Sequence, residues 1–211
     1  EKISYDEMLE LASLGAKVLQ TRSVEMAKKL NVNLVSRSSF EPQTPGTLIT
    51  KEENIMEQPL VSGIALDKNQ VRVGMYGVTD TPGIAASIFT SLADANVNVD
   101  MIVQTVGVDG KTDLDFTVPT TDLEDTRIVM KNFENDTENI DYNESICKVS
   151  IVGVGMKSHT GVAGKAFGAL AKENINIRII STSEIKISMI ILEKYAELAV
   201  RSLHEAYDLD K

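Results

Sequence analysis

The sequence predicts an α+β protein built from two ferredoxin-like βαββαβ modules, the first inserted in the second, behind a shorter N-terminal segment. Three observations carry this. Sliding the chain by 78 residues superposes Val71–Gln104 on Val149–Thr182 without a gap, with matches that include Gly77/Gly155, Gly83/Gly161, Phe89/Phe167, Leu92/Leu170, Asn96/Asn174 and Asn98/Asn176. Each copy passes from strand-like alternation to helical periodicity and back. The second copy runs out of chain before its fourth strand, while a strand-like run, Leu60–Leu66, stands unassigned upstream of the first. A sheet edge left open would expose unpaired backbone groups, so this run is expected to supply the missing strand.

In the N-terminal segment, Ser4 and Glu7 form the capping-box pattern, and Met8, Leu9, Leu11, Ala12 and Leu14 mark a helix that stops at Gly15. A second helix over Ser23–Leu30, a strand at Asn33–Ser36 and a loop over Ser38–Gly46 follow. Some 50 residues are too few to bury a core alone, so the segment reads as the end of a larger domain.

In the first copy, Val71–Val78 alternates as a half-buried strand. Thr79-Asp80-Thr81-Pro82-Gly83 turns the chain, with Pro82 suited to a first helical turn and Asp80 or Thr81 to its cap. Ile84, Ile88, Phe89, Leu92 and Ala93 give an amphipathic helix ending near Asn96. Val97–Val108 and Thr112–Val118 read as strands joined by the hairpin signal Asp109-Gly110. A helix over Asp122–Phe133 and a strand within Ile140–Ser145 complete the module. The second copy repeats the order: strand Lys148–Val154, helix Gly161–Asn174, strands Ile175–Thr182 and Lys186–Leu192, helix Lys194–Tyr207.

Composition narrows the function. Lys and Arg number 21 against 31 Asp and Glu, a net charge of −10, which opposes nucleic acid or an anionic membrane surface as partner. The apolar run Ile187–Leu192 is far too short to span a bilayer, and with no signal-peptide pattern the cytoplasm is expected. One cysteine, Cys147, excludes an internal disulfide and a cysteine-rich zinc site. Cys147 lies in a strand-like run where a buried thiol is the ordinary reading, and His204 sits where a solvated helix face is expected. No nucleotide loop, metal-binding helix or nucleophile elbow is present, and Gly153-Val154-Gly155 lacks dinucleotide-loop spacing. No catalytic residue, metal or cofactor is assigned to this chain.

Several stretches resemble aspartate kinase. Ile3-Ser4-Tyr5-Asp6-Glu7-Met8, Gly15-Ala16-Lys17-Val18-Leu19, Arg37-Ser38-Ser39-Phe40 and Pro45-Gly46-Thr47-Leu48-Ile49 are similar to the end of its catalytic domain. The two modules resemble its paired ACT domains, above all in Gly155-Met156-Lys157-Ser158-His159 and Ile180-Ser181-Thr182-Ser183-Glu184-Ile185-Lys186-Ile187-Ser188. Gln20-Thr21-Arg22, where many members have His-Pro-Arg, and the short hairpin at 107–111 depart from the pattern. The resemblance divides the chain into a catalytic-domain remnant at 1–52, a first ACT domain at 68–145 and a second formed by 60–67 with 146–208. Family members phosphorylate aspartate with MgATP, the first step of aspartate-family amino-acid biosynthesis, and lysine, threonine or both inhibit them by feedback through these domains. The family's Lys-Phe-Gly-Gly-Thr-Ser nucleotide motif is absent here. The resemblance therefore implies a regulatory chain, inactive alone and cofactor-free, with MgATP needed only by the full-length kinase. Its partners would be a kinase domain or catalytic subunit and a second copy in a homodimer.

A free amino acid offers a carboxylate that helix-start N–H groups can hold and an ammonium that suits an acidic side chain. The resemblance places Asp80, Thr81, Pro82, Gly83, Ala85, Asn98, Val99, Asp100 and Gln104 on one wall of an effector pocket between modules, usually on a partner chain. Val162, Ala163, Asn176, Ile177 and Ser183 form the other wall. Core packing for Val99, Val162 and Ile177, and turn roles for Asn98 and Asn176, stand beside that reading. The repeat is asymmetric: where the first copy has Asp80 the second has Ser158, so two equivalent sites are not expected. A structural dimerisation module with vestigial pockets and a chain with retained kinase activity are the alternatives.

Overall fold

The computed structural model describes residues 2–55, 60–107 and 110–209. The chain forms two compact units, one of Glu1–Asp67, Lys148–Ile191 and Tyr195–Lys211, the other of Lys68–Cys147 and Leu192–Lys194. Three sheets result, of three, four and four strands.

The N-terminal segment contains β1 (Lys2–Ser4), α1 (Tyr5–Ser13), α2 (Thr21–Leu30), β2 (Leu34–Ser36) and β3 (Thr47–Thr50). Its sheet has the order β1-β3-β2, with β1 parallel and β2 antiparallel to β3. The capping box forms: the Glu7 amide donates to Ser4 Oγ at 3.2 Å and the Ser4 amide to Glu7 Oε2 at 3.0 Å. Strands β1 and β3 were not expected, because runs of three and four residues show no alternation and their pairing spans 46 positions. Ile3, Tyr5, Met8, Val24, Ala27 and Ile49 give the segment a small apolar cluster of its own.

Strand β4 (Gly63–Asp67) leads into the first module: β5 (Val71–Thr79), α3 (Ile84–Asp94), β6 (Ile102–Val106), β7 (Lys111–Val118), α4 (Leu123–Met130) and β8 (Asn139–Asn143). The sheet order is β6-β7-β5-β8. Val71, Val73 and Met75 of β5 and Leu114, Phe116 and Val118 of β7 bury one face against Ile88 and Leu92 of α3 and Met130 of α4. On the opposite face Arg72 meets Asp115 at 2.5 Å and Asp141 at 3.1 Å. The alternation was visible in the sequence because only one face of this sheet is apolar. At Gly77 β5 slips register against β7; φ is +63° there, and a Cβ would lie 2.7 Å from the Glu138 side chain. Glycine meets both conditions.

The second module follows as β9 (Ile146–Val152), α5 (Val162–Lys172), β10 (Ile179–Thr182), β11 (Lys186–Leu192) and α6 (Ala196–Ala206). Its order, β10-β11-β9-β4, repeats the first with β4 in the place of β8. Gly63 pairs with Val152 and Asp67 with Lys148, so the upstream run fills the open edge and the first module is inserted in the second. All seven residues of β9 are buried. Leu11 of α1 and Leu14, its C-cap, pack with Ala65 and Val152 at the end of the strand.

Helix ends match the repeat: Asn96 and Asn174 both take left-handed conformations, φ +58° and +56°. Other boundaries shift. The expected strands Val97–Val108 and Ile175–Thr182 begin only at Ile102 and Ile179, although Asp100 and Arg178 already bond to Thr117 and Ile190 of the neighbouring strands. Val108 and Asp109, part of the expected strand and hairpin signal, lie outside the described residues. The expected strand Lys148–Val154 starts at Ile146 and stops at Val152, giving way to a 3-10 turn over Val154–Lys157. Helix Lys194–Tyr207 is α6 preceded by a 3-10 turn, and Asp122–Phe133 is α4 followed by one.

Candidate functional site

The turn between β5 and α3 brings Asp80, Thr81, Pro82 and Gly83 to the surface of the first module. Backbone bonds hold it: Asp80 N–H donates to Gly110 O at 2.8 Å, Thr81 N–H to Thr79 O at 3.0 Å and Ile84 N–H to Thr81 O at 3.1 Å. Neither Asp80 nor Thr81 caps the helix, and Pro82 lies outside it. Gly83, at φ +101°, is the cap residue and no side chain bonds there. Only glycine takes that conformation without strain. Beyond Ile84, whose N–H is taken by Thr81 O, the first turn of α3 has no side-chain cap, and no bond to the Asp80 carboxylate is found among the described residues. This is a turn that presents one fixed negative charge beside the positive end of a helix dipole.

Below the turn, Ala85 and Gln104 line a cleft with Val78, Ile84, Ile88, Thr112 and Leu114. Its volume is about 10 Å³, room for one water, so it forms an apolar floor and not a ligand cavity. Gln104 Nε2 donates to Thr112 Oγ1 at 3.2 Å, and Thr112 Oγ1 donates to Thr105 O at 2.6 Å. Thr112 is 2% exposed and orients Gln104. Sequence reasoning missed it; a lone Thr in an alternating strand carries no signal until its cross-strand partner is known.

Strand β7 measures how far apart the remaining residues of this wall lie. Asp80 bonds at Gly110, Gln104 pairs with Leu114, and Asp100 N–H donates to Thr117 O. At about 3.3 Å per residue, Asp80 and Asp100 are roughly 23 Å apart along the strand. Asp80 to Gly83 thus lie near the hairpin end, Gln104 stands midway along β7 beside Ala85, and Asn98, Val99 and Asp100 group at the far end of α3. The single wall expected from sequence is two clusters in one copy of the chain. Asn98 is exposed and its amide donates to Asp122 Oδ2 at 3.2 Å, a turn role; Val99 packs against the core.

The second module shows the same division. Val162 and Ala163 open α5, and Asn176 and Ile177 lie beyond its other end. Val162 is 5% exposed and its carbonyl accepts the Tyr207 hydroxyl at 2.7 Å, so its side chain packs in the core. Burial raises the Tyr207 phenol to about 12. Ser183 N–H closes the β10–β11 hairpin on Lys186 O at 2.8 Å, and Ser183 lines a groove with Glu10 and Ser13 of α1. At the position matching Asp80, Ser158 Oγ lies 3.1 Å from His159 Nδ1, which itself lies 2.9 Å from Gly155 O. No carboxylate takes the place of Asp80.

Cys147 is fully buried. His204, expected on a solvated face, is half-buried and lines a groove of about 790 Å³ with Met8, Leu11 and Leu209. Among the described residues no His, Cys, Asp and Glu cluster could hold a metal, and no helix is long and apolar enough to cross a membrane.

Two ferredoxin-like modules of this topology, one threaded into the other, define a protein of the paired ACT-domain class. The ACT domain model matches residues 71–132 and 149–207. The chain is 65% identical over 214 residues to the aspartokinase of Helicobacter pylori, covering 100% of this chain and 53% of that protein. It thus spans about half the length of the curated relatives it matches. The ligand-free regulatory subunit of aspartate kinase from Thermus thermophilus is 38% identical with a TM-score of 0.66, over 70% of this chain and 99% of that one. E. coli aspartokinase III in complex with lysine and aspartate is 26% identical with a TM-score of 0.77, over 98% of this chain and 46% of that one. The chain belongs to the aspartokinase family and carries its regulatory ACT domains.

Proposed function

We infer that this chain is the amino-acid-sensing portion of an aspartate kinase, binding lysine, threonine or both to inhibit the kinase by feedback. The observation that carries the reading is the turn at Asp80–Gly83, where a carboxylate without protein partners stands beside uncapped helix N–H groups. These complement the ammonium and carboxylate of one free amino acid. The lysine complex of E. coli aspartokinase III supports lysine as a candidate effector. Residues 1–52 are proposed as the end of the kinase domain, 68–145 as the first ACT domain, and 60–67 with 146–208 as the second. MgATP belongs to the kinase active site of the full-length protein, and the chain alone is expected to be inactive.

The two first-module clusters are too far apart for one amino acid to bridge within a copy. We place the opposing wall on a second copy, in a homodimer whose two-fold axis supplies two equivalent sites. Effector binding inhibits only in so far as it favours one of two arrangements over the other.

Titration calorimetry and thermal shift of the 211-residue chain with L-lysine and L-threonine test the reading. Saturable binding of one of them, with a raised Tm, is expected. Binding of neither by a chain that light scattering shows to be dimeric would leave a structural dimerisation module. ATP-dependent phosphorylation of aspartate by this chain would overturn the regulatory assignment.

A further inference from the structure

Glu7 is 1% exposed, and no Lys or Arg pairs with it among the described residues. Four donors replace a counter-ion. Oε2 accepts the Ser4 amide at 3.0 Å and the Ser4 hydroxyl at 2.7 Å, both at the start of α1. Oε1 accepts the Val154 amide at 2.9 Å and the Ser62 hydroxyl at 2.5 Å. A buried carboxylate is costly unless its lone pairs are satisfied, so its position is tied to all four donors.

The Oε1 side reaches the second module where β9 ends. Gly153 N–H donates to Ile185 O at 2.9 Å, and a Cβ on Gly153 would lie 2.5 Å from Leu60 O and 2.7 Å from Val61 Cα. Ser62 N–H donates to Val152 O at 2.7 Å. Val154, held by Glu7, is the first residue of the 3-10 turn leading to Ser158, His159 and the start of α5. The repeat supplies a comparison. Tyr76, the residue matching Val154, continues β5 and pairs with Asn139. The break after Val152 is therefore not inherent to the module; it occurs where the Glu7 carboxylate, and not a neighbouring strand, takes the amide.

We propose that Glu7 is a positioning residue: its carboxylate joins the start of α1 to the helix-start loop of the second module, residues 154–161, and sets where that loop sits. Any ligand that moves the loop must then strain or release the N-terminal segment through this joint, and the coupling is reciprocal. The regulatory use of the joint rests on the amino-acid-binding reading; the joint itself does not.

Amide hydrogen exchange of the ligand-free 211-residue chain tests it. Glu7→Gln keeps the shape but turns an acceptor into an NH₂ group that cannot serve both pairs of donors. It is expected to speed exchange over residues 153–161 at least tenfold while amides of the first module at 71–118 keep parental rates. Ser4→Ala removes a donor on the α1 side only and is expected to leave the 153–161 rates as in the parent. Unchanged loop exchange in Glu7→Gln would overturn the proposal. So would a uniform rise across the chain, or an equal loop effect from Ser4→Ala. If Glu7→Gln does not fold, Ser62→Ala, which removes one donor from Oε1, must speed loop exchange several-fold or the proposal fails. A second arm adds saturating L-lysine or L-threonine: a ligand that alters exchange in both the loop and residues 5–13 of the parent should alter only the loop in Glu7→Gln. Persistent α1 change in that variant would refute the transmission. If neither amino acid binds the parent, the effector reading fails while the ligand-free arm still decides the joint.

Discussion

Replacing Asp80 by Asn isolates the charge that the effector reading depends on. Asp80 makes a backbone bond to Gly110 but no cap to α3, whose N-cap residue is Gly83. The substitution therefore leaves the turn and the helix start as they are, and stability is expected to change by less than about 0.5 kcal/mol, as for ordinary surface substitutions. The change falls on the ligand. A hydrogen bond to a charged group contributes about 1.5–3 kcal/mol, and an exposed carboxylate takes the low end because water screens it. Affinity should fall about tenfold if the site stays open, and up to about a hundredfold if a second copy closes over it and removes that water. Titration calorimetry of parent, Asp80→Asn and Asp80→Ala, with urea unfolding of each, provides the assay. Both variants should lose affinity alike, since no cap is involved. Ser158→Ala, at the matched position of the second module, should have little effect. If Asp80→Asn binds lysine or threonine as tightly as the parent, the ammonium assignment is wrong. If Ser158→Ala abolishes binding instead, the asymmetry drawn from the repeat is reversed.

Other outcomes follow from the packing. Thr112→Val releases the Gln104 amide and the Thr105 carbonyl to water, costing about 0.5–1.5 kcal/mol by urea unfolding and lowering effector affinity as Gln104 loses its orientation. Gly153→Ala places a Cβ against Leu60 and Val61 backbone atoms and should destabilise by about 1–3 kcal/mol in the same assay. Gly83→Ala and Gly161→Ala put a side chain at φ +101° and +86° with open space around each Cβ, so both should cost about 1–2 kcal/mol from backbone strain alone. Tyr207 is neutral in the fold up to about 12, against 10 when unfolded, so its contribution is intact below pH 10 and lost as pH rises from 10 to 12. Denaturant midpoints across that window should fall less steeply in Tyr207→Phe than in the parent.

How much of the site was legible follows residue by residue. Asp80 stood out because its repeat partner is Ser158, a contrast that needs no structure. Its expected capping role failed because the cap position falls on Gly83, in a left-handed conformation, with no side-chain bond there. What the residue pattern did not show is the spacing within that wall: Asp80 and Asp100 flank one helix at its two ends, and its eleven residues hold them apart. Thr112 and Glu7 carried no sequence signal as site or joint residues. One acts through a cross-strand neighbour, the other through an amide 147 positions away.

The amino-acid sequence alone determined the modules and their number, because strand alternation, helical spacing and the 78-residue repeat are local properties that recur. It also determined that a strand had to be borrowed, since an open edge beside an unused apolar run has one economical solution, and β4 beside β9 is that solution. Only the tertiary structure decided what lies against the second sheet, for Leu14 meets Ala65 of β4 across 51 positions and Val152 of β9 across 138. It alone decided that Glu7, legible as a capping residue, spends its second oxygen on Ser62 and Val154. Local pattern records which face a residue turns inward; which distant backbone waits there is settled only when the elements pack.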